Sequence, residues 1–162
     1  MSKRFALMVA VAVSFGLLVS CAKRPVVKPD VEEFVSIAEE PEIRGKTFQK
    51  IADLKTVNFD FDRSDLRQDA RNILKANADY LKQNTNLDIL VEGHCDERGS
   101  AEYNMALGQR RATSVRSYYI QMGVSADRIS TISYGEERPV DRGQNEAAWA
   151  RNRRAETLVR SR

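Results

Sequence analysis

The sequence is poor in the side chains that most often bind transition metals or act as a nucleophile–base pair. It has two cysteines, Cys21 and Cys95, and a single histidine, His94. Zinc sites are built from spaced pairs such as C-x₂-C or H-x₃-H, and the sequence offers no second pair. A Cys–His catalytic pair needs a base that reaches the thiol from another element, and no second histidine exists to supply it. These shortages argue against a zinc site and against thiol-dependent hydrolysis.

The chain also lacks a strong excess of charge. Its 26 lysines and arginines against 23 acidic residues give a formal net charge of +3. Lys3 and Arg4 lie in the leader segment at the start of the chain, and without these two residues 24 basic residues face 23 acidic ones. Proteins that bind nucleic acid through electrostatics carry a clear basic excess. The composition therefore gives no reason to expect a nucleic-acid partner.

The apolar run at the start of the chain is too short for a stable membrane span. Residues 5–19 follow Lys3 and Arg4 and are apolar or small. As a helix they would be about 22 Å long, whereas the hydrocarbon core of a bilayer is about 30 Å thick. A positive start followed by a short apolar run is typical of a secretory signal peptide, which we predict over residues 1–20.

The end of this leader resembles a bacterial lipobox, in which the cysteine is lipidated and becomes the new N-terminus. Residues 18–20 (LVS) precede Cys21. Several acyl chains, at about 0.8 kcal/mol per buried CH₂, make a durable anchor where one chain would be marginal. Ala22 stands where the inner-membrane retention signal has Asp, which favours the outer membrane. If Cys21 carries lipid, Cys95 has no partner for a disulfide, and such a lone thiol is usually buried or poorly reactive.

A flexible tether is predicted between the lipid and the folded part of the chain. Residues 21–45 comprise the lipidated N-terminus and this tether, which contains three prolines and six acidic residues without a sustained apolar period. Such a composition favours a linker, and about 24 extended residues would reach on the order of 80 Å. Residues 46–162 are then expected to form one folded domain.

Strand-like and helix-like patterns alternate through this domain. Ser64 and Ser100 are the expected N-caps of two helices, and Gly123 ends the second. The predicted strands cover residues 56–61, 87–93, 129–134 and 155–159, and the predicted helices cover residues 64–83, 100–122 and 146–151. This order predicts an α/β fold, a two-layer sandwich with a mixed sheet of about four strands and helices packed on it.

One short segment, "VEGHCDERGS" (91–100), concentrates the residues that are able to carry chemistry. It places four of them side by side, His94, Cys95, Asp96 and Glu97. Neighbouring side chains in a strand or turn point in different directions, so four neighbours rarely converge on one ion. An enzyme that uses Asp62, Asp96 or His94 for acid–base catalysis stays open as an alternative. The other interpretation is a site that holds a charged ligand without changing it.

Two acidic segments follow predicted strands. "FDFD" (59–62) ends the first strand, and "HCDE" (94–97) ends the second. In sheets with parallel neighbours, ligands collect at the carboxyl ends of the strands. Asp62 and Asp96 are therefore expected to face one shared crevice.

The second predicted helix carries an arginine within its apolar stripe. Arg111 lies four residues after Leu107 and four before Val115. A buried guanidinium needs a carboxylate, either in the protein or on a ligand. One interpretation is an internal bridge between Arg111 and Asp96 that orients the loop. The other is a bipolar site shared with Asp62, in which Arg111 grips a ligand carboxylate by a paired fork and Asp96 receives an ammonium, as suits a zwitterionic amino-acid terminus.

Four separated segments resemble the OmpA-like peptidoglycan-binding domain family. They are "NFDFD" (58–62), "VEGHCDERGSAEYNMALGQRRATSV" (91–115), "SYGEERP" (133–139) and "NRRAE" (152–156), and the resemblance covers roughly residues 54–160. The family's helix pattern appears here with Gly108 in place of the more usual Ser. The resemblance implies an OmpA C-terminal-like fold with no catalysis and no cofactor.

The resemblance also implies a ligand, the diaminopimelate residue of peptidoglycan stem peptides, bound without a covalent bond. The residues that it assigns to the ligand are Phe61, Asp62, Asp96, Leu107 and Arg111, and those that support them are Asn104, Asn152 and Arg153. Asp96 and Arg111 stand fifteen residues apart, as in the family's pattern. Phe61 and Asp62 would offer backbone N–H groups or a carboxylate, and Leu107 would line the pocket.

Together with the lipobox and the tether, the resemblance extends to the lipoproteins of the Tol–Pal system. It implies an outer-membrane lipoprotein on the periplasmic face that holds the membrane to the cell wall, with the periplasmic propeller TolB as protein partner. A motor stator shares this domain, but it needs a membrane span with a proton-carrying acid, and residues 1–20 contain no acid. A metal binder that depends on Cys95 is a further rival.

Within the four-residue cluster, Asp96 is expected to be the functional member. Cys95 is expected to turn into the domain, while His94 and Glu97 position the loop or bond to its backbone. Cys95 departs from the family, in which Ala or Thr is more usual, and this leaves the redox sensitivity of the pocket open.

Overall fold

The computed structural model describes residues 40–162. The predicted signal peptide at residues 1–20, the lipidation site Cys21 and most of the tether lie outside the described residues. Within residues 40–162, no helix is long and apolar enough to cross a membrane.

The described chain forms one four-stranded mixed sheet with three helices. In chain order the elements are β1 (Val57–Asn58), α1 (Gln68–Gln83), β2 (Leu87–His94), α2 (Ala101–Gln121), β3 (Ile129–Gly135), α3 (Glu146–Asn152) and β4 (Arg154–Ser161), with a 3-10 turn at Ala126–Arg128 before β3. The strand order is β1-β4-β2-β3, with β2 and β3 parallel and the other pairs antiparallel. The predicted α/β fold with a mixed sheet of about four strands is confirmed.

The hydrophobic core lies between the sheet and the helices α1 and α2. Ile89 and Val91 alternate along β2 toward this layer, and Leu74 of α1 and Val115 and Tyr119 of α2 meet them without exposure to solvent. Burying an apolar side chain of this size stabilises the fold by about 1.5–3 kcal/mol. The core thus fixes both helices on one face of the sheet, and with them the side chains that reach the strand ends.

Two glycines bring α2 unusually close to β2. A Cβ built on Gly93 would lie 1.9 Å from the carbonyl oxygen of Gly108, and one built on Gly108 would lie 2.3 Å from Ser133 Oγ. Side-chain atoms never approach backbone this closely, so the helix and the strand pack backbone against backbone. This contact leaves no room for a side chain at either position, and it sets the distance between α2 and the end of β2.

The helix α2 begins and ends as the sequence predicts. The side chain of Ser100 accepts a hydrogen bond from Tyr103 N at 3.2 Å, as an N-cap should. Gly123, just past the helix, has φ +90°, a left-handed conformation that glycine adopts at no steric cost.

The first strand and the first helix differ from their predicted limits. The strand predicted over residues 56–61 is limited to Val57–Asn58, and the helix predicted from Ser64 begins at Gln68 with Arg67 as its N-cap. The intervening loop is held from outside, because the carbonyls of Asp60 and Arg63 accept hydrogen bonds from Arg111 of α2. These carbonyls accept hydrogen bonds from a side chain far along the sequence, and the local sequence pattern does not predict such a contact.

The carboxyl ends of β1 and β2 reach the same edge of the sheet. Each of the two strands pairs antiparallel with β4, which lies between them, so β1 and β2 run in the same direction. The segments "FDFD" and "HCDE" therefore emerge side by side. The expected shared crevice for Asp62 and Asp96 is confirmed, since both residues line one pocket.

Contacts with the domain begin before residue 46. Thr131 N donates to Glu40 Oε2 at 2.7 Å, and Ser130 Oγ donates to the carbonyl of Pro41 at 2.7 Å. Both acceptors belong to the segment predicted as tether, and both lie against β3. The described part of the chain thus enters the domain along the β3 side of the sheet.

Candidate functional site

A pocket of about 190 Å³ lies at the carboxyl ends of β1 and β2, under the first half of α2. All five residues that the family resemblance assigns to a ligand line it, namely Phe61, Asp62, Asp96, Leu107 and Arg111. They come from three separate parts of the chain. The fold therefore assembles in one place the set that the sequence analysis proposed, with the supporting residues Asn104 and Arg153 beside it.

Arg111 reaches the pocket from α2 and is 1% exposed. Its Nε donates to Arg63 O at 2.8 Å and its Nη2 to Asp60 O at 3.1 Å, which ties down the loop after β1. Its Nη1 donates to His94 O at 2.8 Å and to Cys95 Sγ at 3.3 Å, which ties down the end of β2. Burial lowers the pKa of Arg111, while Cys95 and Asp96 nearby oppose that effect.

The interpretation in which Arg111 forms an internal bridge to Asp96 is therefore wrong. A guanidinium has five N–H donors, and four of those of Arg111 are engaged by backbone carbonyls and a thiol. One N–H, on Nη2, forms no hydrogen bond with the described residues, so a paired fork on a ligand carboxylate would require Arg111 to give up a carbonyl. In this arrangement Arg111 supplies positive charge and one donor, and it joins the two strand ends.

Asp96 is held by two other arginines. Its Oδ1 accepts from Arg98 N at 3.1 Å and Arg98 Nε at 3.2 Å, and its Oδ2 accepts from Arg98 Nη2 at 2.7 Å and Arg153 Nη1 at 3.1 Å. Burial alone would raise the pKa of Asp96, but the hydrogen bonds from Arg98 and Arg153 outweigh it and hold the pKa below its usual value. Asp96 is therefore an ionised carboxylate at neutral pH.

Phe61 and Asp62 form the opposite wall of the pocket. Asp62 has φ +57°, in the left-handed region that few residues other than glycine, Asn and Asp adopt. Tyr103 O–H donates a hydrogen bond to its carboxylate, and this bond raises the pKa of Tyr103. Phe61 is 55% exposed, and the guanidinium carbon of Arg98 lies 4.0 Å from the centre of its ring. The loop after β1 thus presents an aromatic face and a carboxylate to the pocket.

The supporting residues divide between this pocket and its surroundings. Asn104 Nδ2 donates to Asp96 O at 3.2 Å and to Arg98 O at 3.3 Å, so it fixes the loop that carries Asp96. Arg153 lines the pocket and bonds to Asp96 directly. Asn152 does not line it: its Oδ1 accepts from Val140 N at 2.9 Å, and it shapes the neighbouring loop instead.

The other three members of the His-Cys-Asp-Glu cluster face away from the ligand space or form its wall. Cys95 is buried as expected, with burial raising the pKa of its thiol, although its side chain also lines the pocket. The His94 ring stacks on Tyr134 at 5.6 Å between centroids, and neither ring nitrogen forms a hydrogen bond with the described residues. Glu97 accepts from Trp149 Nε1 at 3.2 Å.

Two roles were expected for His94 and Glu97, positioning the loop or bonding to its backbone. Within residues 40–162 neither side chain forms a hydrogen bond with the loop backbone, and positioning of the loop stays a prediction. Successive side chains of a strand point to opposite faces, and Gly93 faces α2, so His94 faces the other side of the sheet. Its ring does not line the pocket, so of the three residues of the enzyme alternative only Asp62 and Asp96 are brought together. Within residues 40–162, no group of three or more His, Cys, Asp or Glu is arranged to hold a metal ion.

Three residues of this site were missed by sequence reasoning. Tyr103 lies four residues before Leu107 on the same helix face, so helical spacing alone could have placed it in the pocket. Arg98 is two residues from Asp96, where a turn brings side chains back together. Trp149 lies 4.2 Å from the guanidinium carbon of Arg98, and no local signal predicts that contact from α3.

The family model for OmpA matches residues 58–153. The chain belongs to the OmpA family. Two proteins named peptidoglycan-associated lipoprotein are among its similar relatives. The one from Pseudomonas putida is 46% identical over 121 residues, which cover 75% of this chain and 68% of the relative. The one from Haemophilus influenzae is 49% identical over 109 residues, which cover 65% of this chain and 71% of the relative. These identities place this OmpA-family chain among the peptidoglycan-associated lipoproteins.

Solved structures of OmpA-like domains share the fold. The peptidoglycan-associated lipoprotein from Burkholderia pseudomallei superposes with a TM-score of 0.63 at 42% identity, covering 65% of this chain and 89% of that one. The C-terminal domain of Helicobacter pylori MotB superposes with a TM-score of 0.63 at 22% identity, covering 67% and 85%. At 22% identity, the likeness to the MotB domain concerns the fold alone.

Proposed function

We propose that this OmpA-family domain binds peptidoglycan without a covalent bond, through the diaminopimelate residue of the stem peptides. The names of its relatives support binding to the cell wall, and the pocket supports the finer statement. The observation that carries it is the meeting of Asp96 and Arg111, from a strand end and a helix, in one pocket that is open to solvent. No step of catalysis and no cofactor is needed for this function.

The charges of the pocket suit a zwitterion. Three guanidiniums, those of Arg98, Arg111 and Arg153, and two carboxylates, those of Asp62 and Asp96, line it. The tip of a diaminopimelate side chain has one carboxylate and one ammonium on the same carbon. The ammonium would be received by Asp96, and the carboxylate by the positive side of the pocket at Arg111.

The size of the pocket suits the tip of an amino acid. Sites for drug-sized ligands measure roughly 300–1,000 Å³, and this pocket is about 190 Å³. A sugar pair of the glycan strand would not enter it. Phe61 and Leu107 supply apolar contacts for the methylene groups of the side chain, and the rest of the peptide would lie outside.

The proposal extends to the place of the protein in the cell. Residues 1–20 would direct export, Cys21 would carry lipid in the outer membrane, and residues 21–45 would bridge to the domain on the periplasmic face. The chain would then hold the outer membrane to the cell wall as part of a Tol–Pal system, with a TolB-like protein as partner. The lipobox at Cys21 and the resemblance of the domain support this extension.

Sedimentation with purified sacculi tests the proposed ligand. Sacculi whose stem peptides contain diaminopimelate should pellet the full chain, and sacculi with lysine at that position should retain it at least about tenfold less. Lysine keeps the ammonium but lacks the carboxylate, and a charged hydrogen bond contributes roughly 1.5–3 kcal/mol. Equal retention by both kinds of sacculi would rule out recognition of the zwitterion.

A further inference from the structure

The carboxylate of Asp96 has no acceptor position left for a ligand. Two oxygens of a carboxylate offer about four lone-pair directions. Oδ1 accepts two hydrogen bonds from Arg98, and Oδ2 accepts one from Arg98 and one from Arg153. An ammonium that arrives in the pocket therefore meets an acid that is already satisfied.

We propose that the Arg98 guanidinium occupies the carboxylate of Asp96 when no ligand is bound, and that the ammonium of the ligand has to displace it. This inference rests on the proposed function, because it concerns the same pocket and the same acid. Arg98 would then act as a specificity-determining residue. A ligand with a charged amine displaces it, and a ligand without one leaves it in place.

Of the two arginines on Asp96, Arg98 is the one that is free to leave. The Arg98 side chain is 29% exposed, and the Arg153 side chain is 7% exposed. Arg153 also donates to Phe59 O at 3.1 Å and to Glu146 Oε1 at 2.7 Å, so it is fixed on three sides. Among residues 40–162, both hydrogen bonds that the Arg98 guanidinium donates go to Asp96. Removing it from Asp96 breaks contacts with a single partner.

The surroundings of Arg98 give it a place to go. Its guanidinium carbon lies between two aromatic rings, 4.0 Å from the centre of Phe61 and 4.2 Å from that of Trp149. Cation–π attraction to two faces holds the group without fixing its rotation in the plane. Nη1 already forms an ion pair with Glu146 Oε2 at 3.6 Å, and this second carboxylate remains as a partner when Arg98 leaves Asp96. Arg98 is therefore able to leave Asp96 by a small rotation while it stays stacked at the mouth of the pocket.

A ligand-variant cycle separates this role from direct binding of the ligand by Arg98. The affinity of the full chain is measured for a diaminopimelate-containing tripeptide and for the same peptide with its side-chain amine acetylated. Arg98→Gln should bind the free-amine peptide about two- to tenfold more tightly than the parent, the range expected from a partly exposed ion pair. Its affinity for the acetylated peptide should stay within about twofold of the parent.

Two further variants complete the experiment. Arg98→Lys keeps the charge but loses the paired hydrogen bonds of the guanidinium. Its affinity for the free-amine peptide should therefore lie between that of the parent and that of Arg98→Gln. Arg162→Gln removes the same charge at the far end of the sheet, beside Asp88, and should behave as the parent. If Arg98→Gln and Arg98→Lys weaken both peptides alike, or change neither, Arg98 is not an occupant of Asp96. If the parent binds neither peptide, the proposed function itself fails.

Discussion

Arg111→Ala is expected to lower the free energy of unfolding by about 3 kcal/mol and to abolish retention by sacculi. The substitution leaves the carbonyls of Arg63 and His94 without the donor that Arg111 supplies, while the Asp60 carbonyl keeps the N–H of Arg63. A buried unsatisfied group costs roughly 1–3 kcal/mol. The total lies near the lower end, because removing a buried charge also relieves its desolvation. Chemical denaturation of the full chain measures the effect.

The neighbouring Arg110 provides the control for this experiment. It is exposed on the same helix, so Arg110→Ala should change the free energy of unfolding by less than about 0.5 kcal/mol. Arg111→Lys should remain well below the parent in stability, since an ammonium on a flexible stem does not reproduce four planar contacts. A fully stable Arg111→Ala would show that Arg111 does not join the two strand ends.

Asp96→Asn is expected to weaken binding to diaminopimelate-containing peptide about thirtyfold or more. The amide keeps the shape of the side chain but removes the charge that would receive the ammonium, and a charge-assisted hydrogen bond contributes roughly 1.5–3 kcal/mol. The protein should still fold, because Asn104 continues to hold the loop through the backbone of Asp96. Calorimetric titration gives the affinity.

A matched control for Asp96→Asn lies nearby on the surface. Asp65 pairs with Arg63, its side chain is 55% exposed, and it does not line the pocket. Asp65→Asn should therefore bind the peptide as the parent does. If Asp96→Asn also binds as the parent does, Asp96 is not the functional member of the cluster.

The parts of the fold that local sequence governs were predictable. Ser100 sets the start of α2 and Gly123 sets its end, because an N-cap hydroxyl and a left-handed glycine act within one turn of the chain. The meeting of Asp62 and Asp96 was also predictable. It needs only strand ends at one edge, and the mixed sheet supplies them.

The parts that depend on the approach of distant segments were not predictable. A buried arginine needs partners, but the sequence alone did not reveal that those of Arg111 would be carbonyls of the loop after β1 and of the end of β2, and not Asp96. Asp96 accepts hydrogen bonds from Arg98 and Arg153 instead. The same distant contact holds the loop between β1 and α1, where the predicted limits of both elements differ from the observed ones. Every residue has a backbone carbonyl, so no pattern of side chains predicts which carbonyls will accept hydrogen bonds from a buried arginine.

The structure of the protein with a diaminopimelate-containing peptide bound tests the central claim most directly. The account predicts the ammonium of the side-chain tip within hydrogen-bonding distance of Asp96, its carboxylate beside Arg111, and Arg98 turned off Asp96 while still stacked on Phe61 and Trp149. A peptide bound elsewhere, for example in the groove between Met105 and Ile132, or one that contacts neither Asp96 nor Arg111, would contradict it.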